Sequence, residues 1–537
     1  MKQSFKLIVA ATIGVLFSLA ASAQVTTSSL NGQVSDEADE PLAGAAVIAV
    51  HIPSGTQYTA VTNLEGRYVI NGMRSGGPYS VQISYIGMSS LDFNDVTLKL
   101  GEPYELDAVM TVSNELEAVV VVSEGSFNSS KTGAGASFGR KTVETTPTID
   151  RSVYDVVKYT PQATLNKNGG ISFAGTNNRY NSFQIDGAVA NDAFGLSSTG
   201  TNGGQTGANP ISLDAIEEIQ VVVAPFDVRQ SGFTGGAINA ITKSGTNTVT
   251  GSFYSYFNNQ DFIGTTAGPL EEGQKRGKYD TQLSQTYGFT VGAPIVKDKL
   301  FIFASAEYYK ASSPNVYSPE NGSYENIELN EEVILPDGTS LGKYFNEDMA
   351  EAMIRHYEEN YGISGTGESF SQHQVTDRAV NAMARIDWNI SDAHKFMLRY
   401  QFMDAYADQY DSGSYEYTFN NSSYRQSNRT NTLVAELNSR ITDEVFNEFR
   451  ATAVFVRDKR SVAYGGATYT FPTISPSTSA PTILQVRTQC IPTHTPSLTM
   501  CPYTRVTILS RPEPITRYSV STMSSSRGHM VHTGSLP

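Results

Sequence analysis

The feature that most constrains the fold is a strict alternation of apolar and polar residues in two neighbouring stretches. In "NAMARIDWNI", Ala382, Ala384, Ile386, Trp388 and Ile390 fall on one face, and Asn381, Arg385, Asp387 and Asn389 on the other. The pattern restarts after "SDA", which reads as a hairpin turn. In "KFMLRYQFM", Phe396, Leu398, Tyr400 and Phe402 share a face opposite Lys395, Arg399 and Gln401. "LFIFASAEYY", "TLVAELNSRI" and "VFNEFRATAVFVR" behave similarly, with less clean faces. Strands of about 10 to 14 residues exceed the globular mean and approach what a tilted strand needs to cross a membrane.

The connections between these strands are unequal. "VKD", "SDA" and "TD" are tight, whereas Lys310 to Asp377 and Asp404 to Ser427 are long and polar. Short turns on one rim and long loops on the other, with aromatic ends such as Tyr308, Tyr309 and Tyr406, predict an outer-membrane barrel. A soluble run of hairpins also alternates and is the competing reading. A closed sheet pairs every backbone polar group in lipid without an apolar helix.

The start of the chain predicts export. Lys2 and Lys6 flank the start of an apolar run from Phe5 to Ala20, and Ala21-Ser22-Ala23 fits a cleavage site, so residues 1–23 read as a signal peptide. A membrane anchor is the alternative, but the run is short for a full crossing. Residues 28–113 predict a small β-sandwich. "LNGQVSD", "GAAVIAV", "TQYTAVTN", "GRYVING", "PYSVQISYIG" and "YELDAVMTV" are β-prone segments divided by turn residues. Residues 114–141 hold "ELEAVVVVSEG" and then a polar Gly/Ser stretch that reads as a linker. Val119, Val120, Val121 and Val122 are either a last strand of the sandwich or an extended segment that adds to a partner's sheet edge.

From residue 142 to 245 the composition is mixed α/β. Val153, Val156 and Val157 share a helical side that Pro161 ends; "GISFAG", "NSFQIDGAV" and "AIEEIQVVVAPFDV" read as strands. Asp186-Gly187 is a turn signal, and no base or metal partner at a catalytic spacing accompanies it. Gly235, Gly236 and Gly245 sit where small residues give way to "TNTVTGSFYSYF", the expected first wall strand.

Composition excludes several functions. The net charge of −15 leaves no sustained basic stripe for nucleic acid, and Cys490 and Cys501 alone make neither a disulfide scaffold nor a cysteine metal cluster. The stretch "SSTGTNGGQTGANPIS" has no Gly-Lys-Ser/Thr and no GxGxxG, so it predicts no nucleotide site. Asp186, Asp227 and His394 form no nucleophile–base pattern. No enzyme, cofactor or metal is expected.

The order of these segments resembles the TonB-dependent receptors of Bacteroidota, in the Oar-like branch that carries a carboxypeptidase-regulatory-like domain. "GRYVINGMRSGGPYSVQISYIGM" is similar to that domain. "FAGTNNRYNSFQIDGAVAND" and "LDAIEEIQVVVAPFDVRQSGFTGGAINAITKSGTN" are similar to the plug, with Arg179, Asp186, Gly187, Gly235 and Gly236 as its motif residues. "LEAVVVV", from Leu116 to Val122, is similar to the TonB-box region. The resemblance covers roughly residues 28–471. It implies a mainly β protein of the cell outer membrane: an N-terminal β-sandwich, an α/β plug at 142–245, and the first part of a transmembrane antiparallel β-barrel at 246–471.

Its implied partners are the TonB-ExbB-ExbD complex, outer-membrane lipid and an unidentified extracellular nutrient taken up with inner-membrane energy. An exported carbohydrate-binding or cell-surface adhesion module is the alternative. Such barrels have about 22 strands, against about seven expected here. From residue 472 to 537 the alternation stops, Glu513 is the sole acid and Lys is absent. A frame shift near Phe471 or a natural Ser/Thr/Pro-rich tail accounts for this; the first, with a non-functional fragment, is the expectation.

Overall fold

The structure, a computed structural model, describes residues 25–112, 119–122, most of 134–462, and the segments 498–499 and 503–510. Within 134–462 the longest stretches outside that description are 266–274, 316–327, 362–373 and 411–422. The expected signal peptide and Leu116 also lie outside the described residues.

The N-terminal strands are β1 (Ser28–Asp36), β2 (Ala46–His51), β3 (Thr56–Val61), β4 (Arg67–Met73), β5 (Gly76–Ser84), β6 (Leu91–Leu98), β7 (Pro103–Glu105), β8 (Ala108–Met110) and β9 (Val119–Val122). One sheet runs β4-β1-β7, with β8 also on β1; the other runs β3-β2-β5-β6-β9. Alternate residues of both sheets, among them Leu30, Val34, Val47, Ile70, Val81, Phe93 and Met110, meet in one apolar core. Full burial of a side chain such as Val81 or Ile83 contributes about 1.5–3 kcal/mol. Strand β6 escapes the sequence pattern because Asp95, at φ 60, breaks the alternation between Phe93 and Val96.

The central strands are β10 (Ala134–Gly139), β11 (Ala163–Leu165), β12 (Ile171–Phe173), β13 (Ser182–Ile185), β14 (Ala188–Val189), β15 (Ile216–Val223) and β16 (Gly236–Thr242). Five of them form a mixed sheet in the order β10-β15-β16-β13-β14, in which β13 and β16 are parallel. Its apolar face, with Phe183, Ile219, Val221, Ile238 and Ala240, packs on the short helix Val153–Val157. Ser152 and Asp155 cap that helix reciprocally. The expected linker differs from the structure here. Ala134–Gly139 pairs along β15, where a Cβ on Gly135 would meet the Val221 carbonyl at 2.7 Å, so small residues serve close pairing as well as flexibility.

The wall strands are β17 (Thr250–Asn259), β18 (Leu283–Val296), β19 (Leu300–Pro314), β22 (Gln374–Asn389), β23 (His394–Gln409), β24 (Tyr424–Arg440) and β25 (Phe446–Val462), each antiparallel to the next. A small hairpin, β20 (Glu328–Ile334) with β21 (Ser340–Tyr344), and the helix Glu347–Tyr361 lie in the long connection before β22. The wall strands run from 10 residues in β17 to 17 in β24 and β25, and β19 and β22 to β25 are longer than the sequence pattern predicts. The longer ones exceed the about 9–11 residues that a membrane-crossing strand needs.

The wall is inside out relative to a soluble sheet. Asn381, Met383, Arg385 and Asp387 of β22 are buried, while Ala384 and Trp388 are exposed. On β23 Met397, Arg399, Gln401 and Met403 are buried and Tyr400 is exposed. Tyr287, Phe289 and Val291 continue the exposed apolar face on β18. Apolar side chains turned outward over charged ones turned inward suit hydrocarbon outside and a polar interior. The short turns at 297–299 and 390–393 share one rim with the β24–β25 turn. Two further segments, β26 (Leu498–Thr499) and β27 (Tyr503–Ser510), pair with β25. The composition of the tail gave no sign of them; "YTRVTILS" has the β-branched content of a strand.

Candidate functional site

The tip of the β13–β14 hairpin carries the central charge. Asp186 and Gly187 both have positive φ, 46 and 71, and Ile185 pairs with Ala188, which makes a two-residue turn of type I′. Asp tolerates the left-handed region and Gly adopts it without steric cost, as the sequence signal implies. The turn drives the Asp186 carboxylate into the inner face of the wall. Thr242 donates to it from its backbone N–H at 2.9 Å and its hydroxyl at 2.8 Å.

Two wall guanidinium groups face the same carboxylate. Arg399 Nε lies 3.0 Å from Asp186 Oδ2, and Arg385 Nη1 lies 3.4 Å from Oδ1. Arg399 also donates to the Ile185 carbonyl at 3.0 Å, and Arg385 to the Thr242 carbonyl at 3.0 Å. Arg385 grips Asp387 with two parallel hydrogen bonds of 2.9 and 2.8 Å. Asp387 also receives Arg74 of the N-terminal unit at 3.1 Å.

Beyond Gly187, Arg450 pairs with Glu436 at 2.7 Å and Glu448 at 2.6 Å, and donates to Thr26. Four guanidinium groups (Arg74, Arg385, Arg399, Arg450) therefore face four carboxylates (Asp186, Asp387, Glu436, Glu448). The lattice is neutral as a whole. Such buried pairs add little net stability over apolar packing, but each leaves an uncompensated charge when one partner is removed. The arrangement therefore specifies one seating of the central hairpin more than it strengthens the fold.

A second polar contact joins the N-terminal unit to the central sheet. The Leu100 backbone is clamped: its N–H donates to Glu218 Oε1 at 3.0 Å and its carbonyl accepts from Gln220 Nε2 at 2.5 Å. Ser137 also donates to Glu218, and Asn239 donates to the Val25 carbonyl at 2.6 Å. Burial holds the Glu218 carboxyl above its ordinary range despite those donors. The turn rim completes the contact. Asn247 N–H donates to the Pro53 carbonyl at 2.8 Å, Asn389 to Thr56 Oγ1 at 2.9 Å, and Arg440 to the Thr59 carbonyl.

The other motif residues are placed as follows. Gly187 is confined doubly, by its φ and by Arg450, whose Nη1 would lie 2.3 Å from an added Cβ. Gly235 and Gly236 serve close packing: a Cβ would meet Asn181 Oδ1 at 2.3 Å and the Phe173 ring at 2.4 Å, respectively. Arg179 is exposed on the turn Asn178–Tyr180 and stands outside the lattice. Val119–Val122 pairs in parallel with Leu91–Asn94 at the edge of the second N-terminal sheet. Sequence reasoning missed Arg74, Glu436, Glu448 and Arg450 and gave Arg399 no role. The available signal was a charge between apolar neighbours, as in Leu398-Arg399-Tyr400. Among the described residues no group of three His, Cys, Asp or Glu gathers as a metal site.

Residues 29–111 match the carboxypeptidase regulatory-like domain, and residues 241–507 match an outer membrane beta barrel domain. The TonB-dependent transporter Oar of Myxococcus xanthus is 26% identical over 303 residues, 54% of this chain and 27% of that protein. The outer membrane transporter YddB from Escherichia coli aligns at TM-score 0.40 and 14% identity, over 62% of this chain and 40% of its own. The siderophore receptor PirA from Acinetobacter baumannii aligns at TM-score 0.41 and 14% identity, over 70% of this chain and 45% of its own. The chain spans less than half the length of each of these proteins. The chain is thus similar, in these segments, to the Oar-like TonB-dependent outer-membrane transporters and to the carboxypeptidase regulatory-like domain.

Proposed function

We propose that the chain belongs to an outer-membrane receptor that imports a nutrient with energy from the TonB-ExbB-ExbD complex. In this reading residues 142–245 are the plug and the wall is part of its barrel. The observation that carries it is the seating of the Asp186-Gly187 hairpin against the charged inner face of a wall whose outer face is apolar. A lumen occupied by an ion-paired segment is closed at rest, so opening it requires work from outside.

The segment from Leu116 to Val122 is the proposed point where that work enters. Val119–Val122 ends the sheet order β3-β2-β5-β6-β9, and among the described residues no strand pairs with its outer edge, the place for a strand of TonB to join. Arg179, Asp186, Gly187, Gly235 and Gly236 belong to the plug motif; Asp186 and Gly187 fix its seating, while Gly235 and Gly236 allow close packing within it. Membrane fractionation of the intact gene product tests the reading. It is expected in the outer membrane with heat-modifiable gel mobility and TonB-dependent uptake of a nutrient. Recovery as a soluble periplasmic protein would favour the exported binding module.

A further inference from the structure

We infer that the N-terminal β unit is a latch that closes the short-turn end of the lumen and holds the Asp186 seating through Arg74. The inference builds on the transport reading and adds to it a step that must precede plug movement.

The latch contacts fall on one rim. The β2–β3 turn and β3 meet it through Pro53, Thr56 and Thr59, bonded to Asn247, Asn389 and Arg440. Lys395 lies 4.2 Å above the Tyr58 ring, and a Cβ on Gly55 would sit 2.1 Å from Asp298 Oδ1. These partners come from four successive parts of the wall: the entry to β17 and the turns that follow β18, β22 and β24. The Leu100 clamp on Glu218 and Gln220 and the Val25–Asn239 bond fasten the same unit to the central sheet.

One side chain joins this latch to the ion lattice. Arg74 donates to Ser244 at 2.5 Å and pairs with Asp387, whose other partner is Arg385, which itself faces Asp186. Undocking the unit removes one cation from the neutral lattice and leaves Asp387 to compete with Asp186 for Arg385. The strand Val119–Val122 hangs on β6 of this unit, so a pull on it loads the latch before the plug.

The test uses the full chain in outer-membrane vesicles with Cys490→Ser and Cys501→Ser, and the pair Thr56→Cys with Asn389→Cys. Mild oxidation is expected to form the disulfide, seen as a reductant-sensitive gel shift. Separately, Arg74→Gln is expected to speed amide exchange of Ala237–Thr242 about tenfold. Unchanged exchange at Val81 and Ile83 shows that the N-terminal core still folds, and Arg74→Lys should restore much of the protection. No disulfide overturns the docking. A disulfide with unchanged exchange in Arg74→Gln overturns the coupling. Neither readout involves uptake, so failure of the latch is separable from failure of the transport reading.

Discussion

Gly187 lies so close to Arg450 that a Cβ at its position would sit 2.3 Å from Nη1. Arg450 cannot readily withdraw, because Glu436 and Glu448 hold it on either side. Gly187→Ala therefore combines left-handed strain with a clash against a fixed guanidinium. The expected cost is about 2–4 kcal/mol, measured as a lowered heat-modification midpoint or a lowered urea midpoint in detergent.

Asp186→Asn should be tolerated by the turn, since Asn adopts positive φ, yet it leaves Arg399 and Arg385 facing an uncharged amide. A loss of about 3–5 kcal/mol in hairpin seating is expected. Amide exchange at Thr242, whose N–H donates to Asp186, is the direct measurement. Exchange no faster than in the parent chain would show that the ion lattice does not hold the hairpin in place.

His51 is buried beside Ser54, with Nδ1 2.7 Å from its hydroxyl. Burial first, and the Arg74 charge second, lower its pKa from 6.5 to about 3. The unfolded chain therefore takes up a proton that the folded chain refuses. Stability is unaffected well above pH 6.5 and falls as the pH drops from there toward 3, with a limiting slope of about 1.4 kcal/mol per pH unit. His51→Gln should flatten that slope in exchange measurements at Val81 and Ile83.

Glu218 has the opposite sign. Its carboxyl is raised above 4.5, so stability increases as the pH falls through the folded value toward 4.5. Glu218→Gln retains an acceptor for the Leu100 N–H without a buried charge. It should change stability by less than about 1 kcal/mol at neutral pH and abolish this part of the acid dependence, read by amide exchange at Leu100.

Leu433 is exposed on the outer face of β24, next to the buried Val434. If that face meets hydrocarbon, Leu433→Arg should cost up to about 2–4 kcal/mol near the membrane midplane. On a water-facing surface the same change would stay within about 0.5 kcal/mol. The yield of membrane-inserted, heat-modifiable protein separates the two.

The wall was legible in the sequence because an alternating strand declares both faces, and Trp388 against Asp387 needs no tertiary information to be assigned. The Asp186-Gly187 turn was legible for a similar reason: its backbone requirement is local. The lattice was not. Arg74, Arg399 and Arg450 stand far apart in the chain, and their meeting depends on strand register and on the docking of one unit against another. Strand β6 was hidden by the irregularity at Asp95, and β10 by the small residues that close pairing with β15 requires. Val119–Val122 offered two readings, a closing strand and a partner edge, and its pairing with β6 supplies the first while leaving the second to experiment.

Gly245 carries a mechanical consequence. A Cβ there would meet the Ile302 and Ala293 carbonyls at 2.5 and 2.8 Å, so the chain leaving β16 is wedged against two wall strands before β17 begins. On the transport reading the hairpin-bearing sheet is a stopper on a short tether, pinned at one end to the wall it would close. It can tilt, unzip or fold aside, but it cannot leave, and whatever passes must squeeze by a hinge that stays in place.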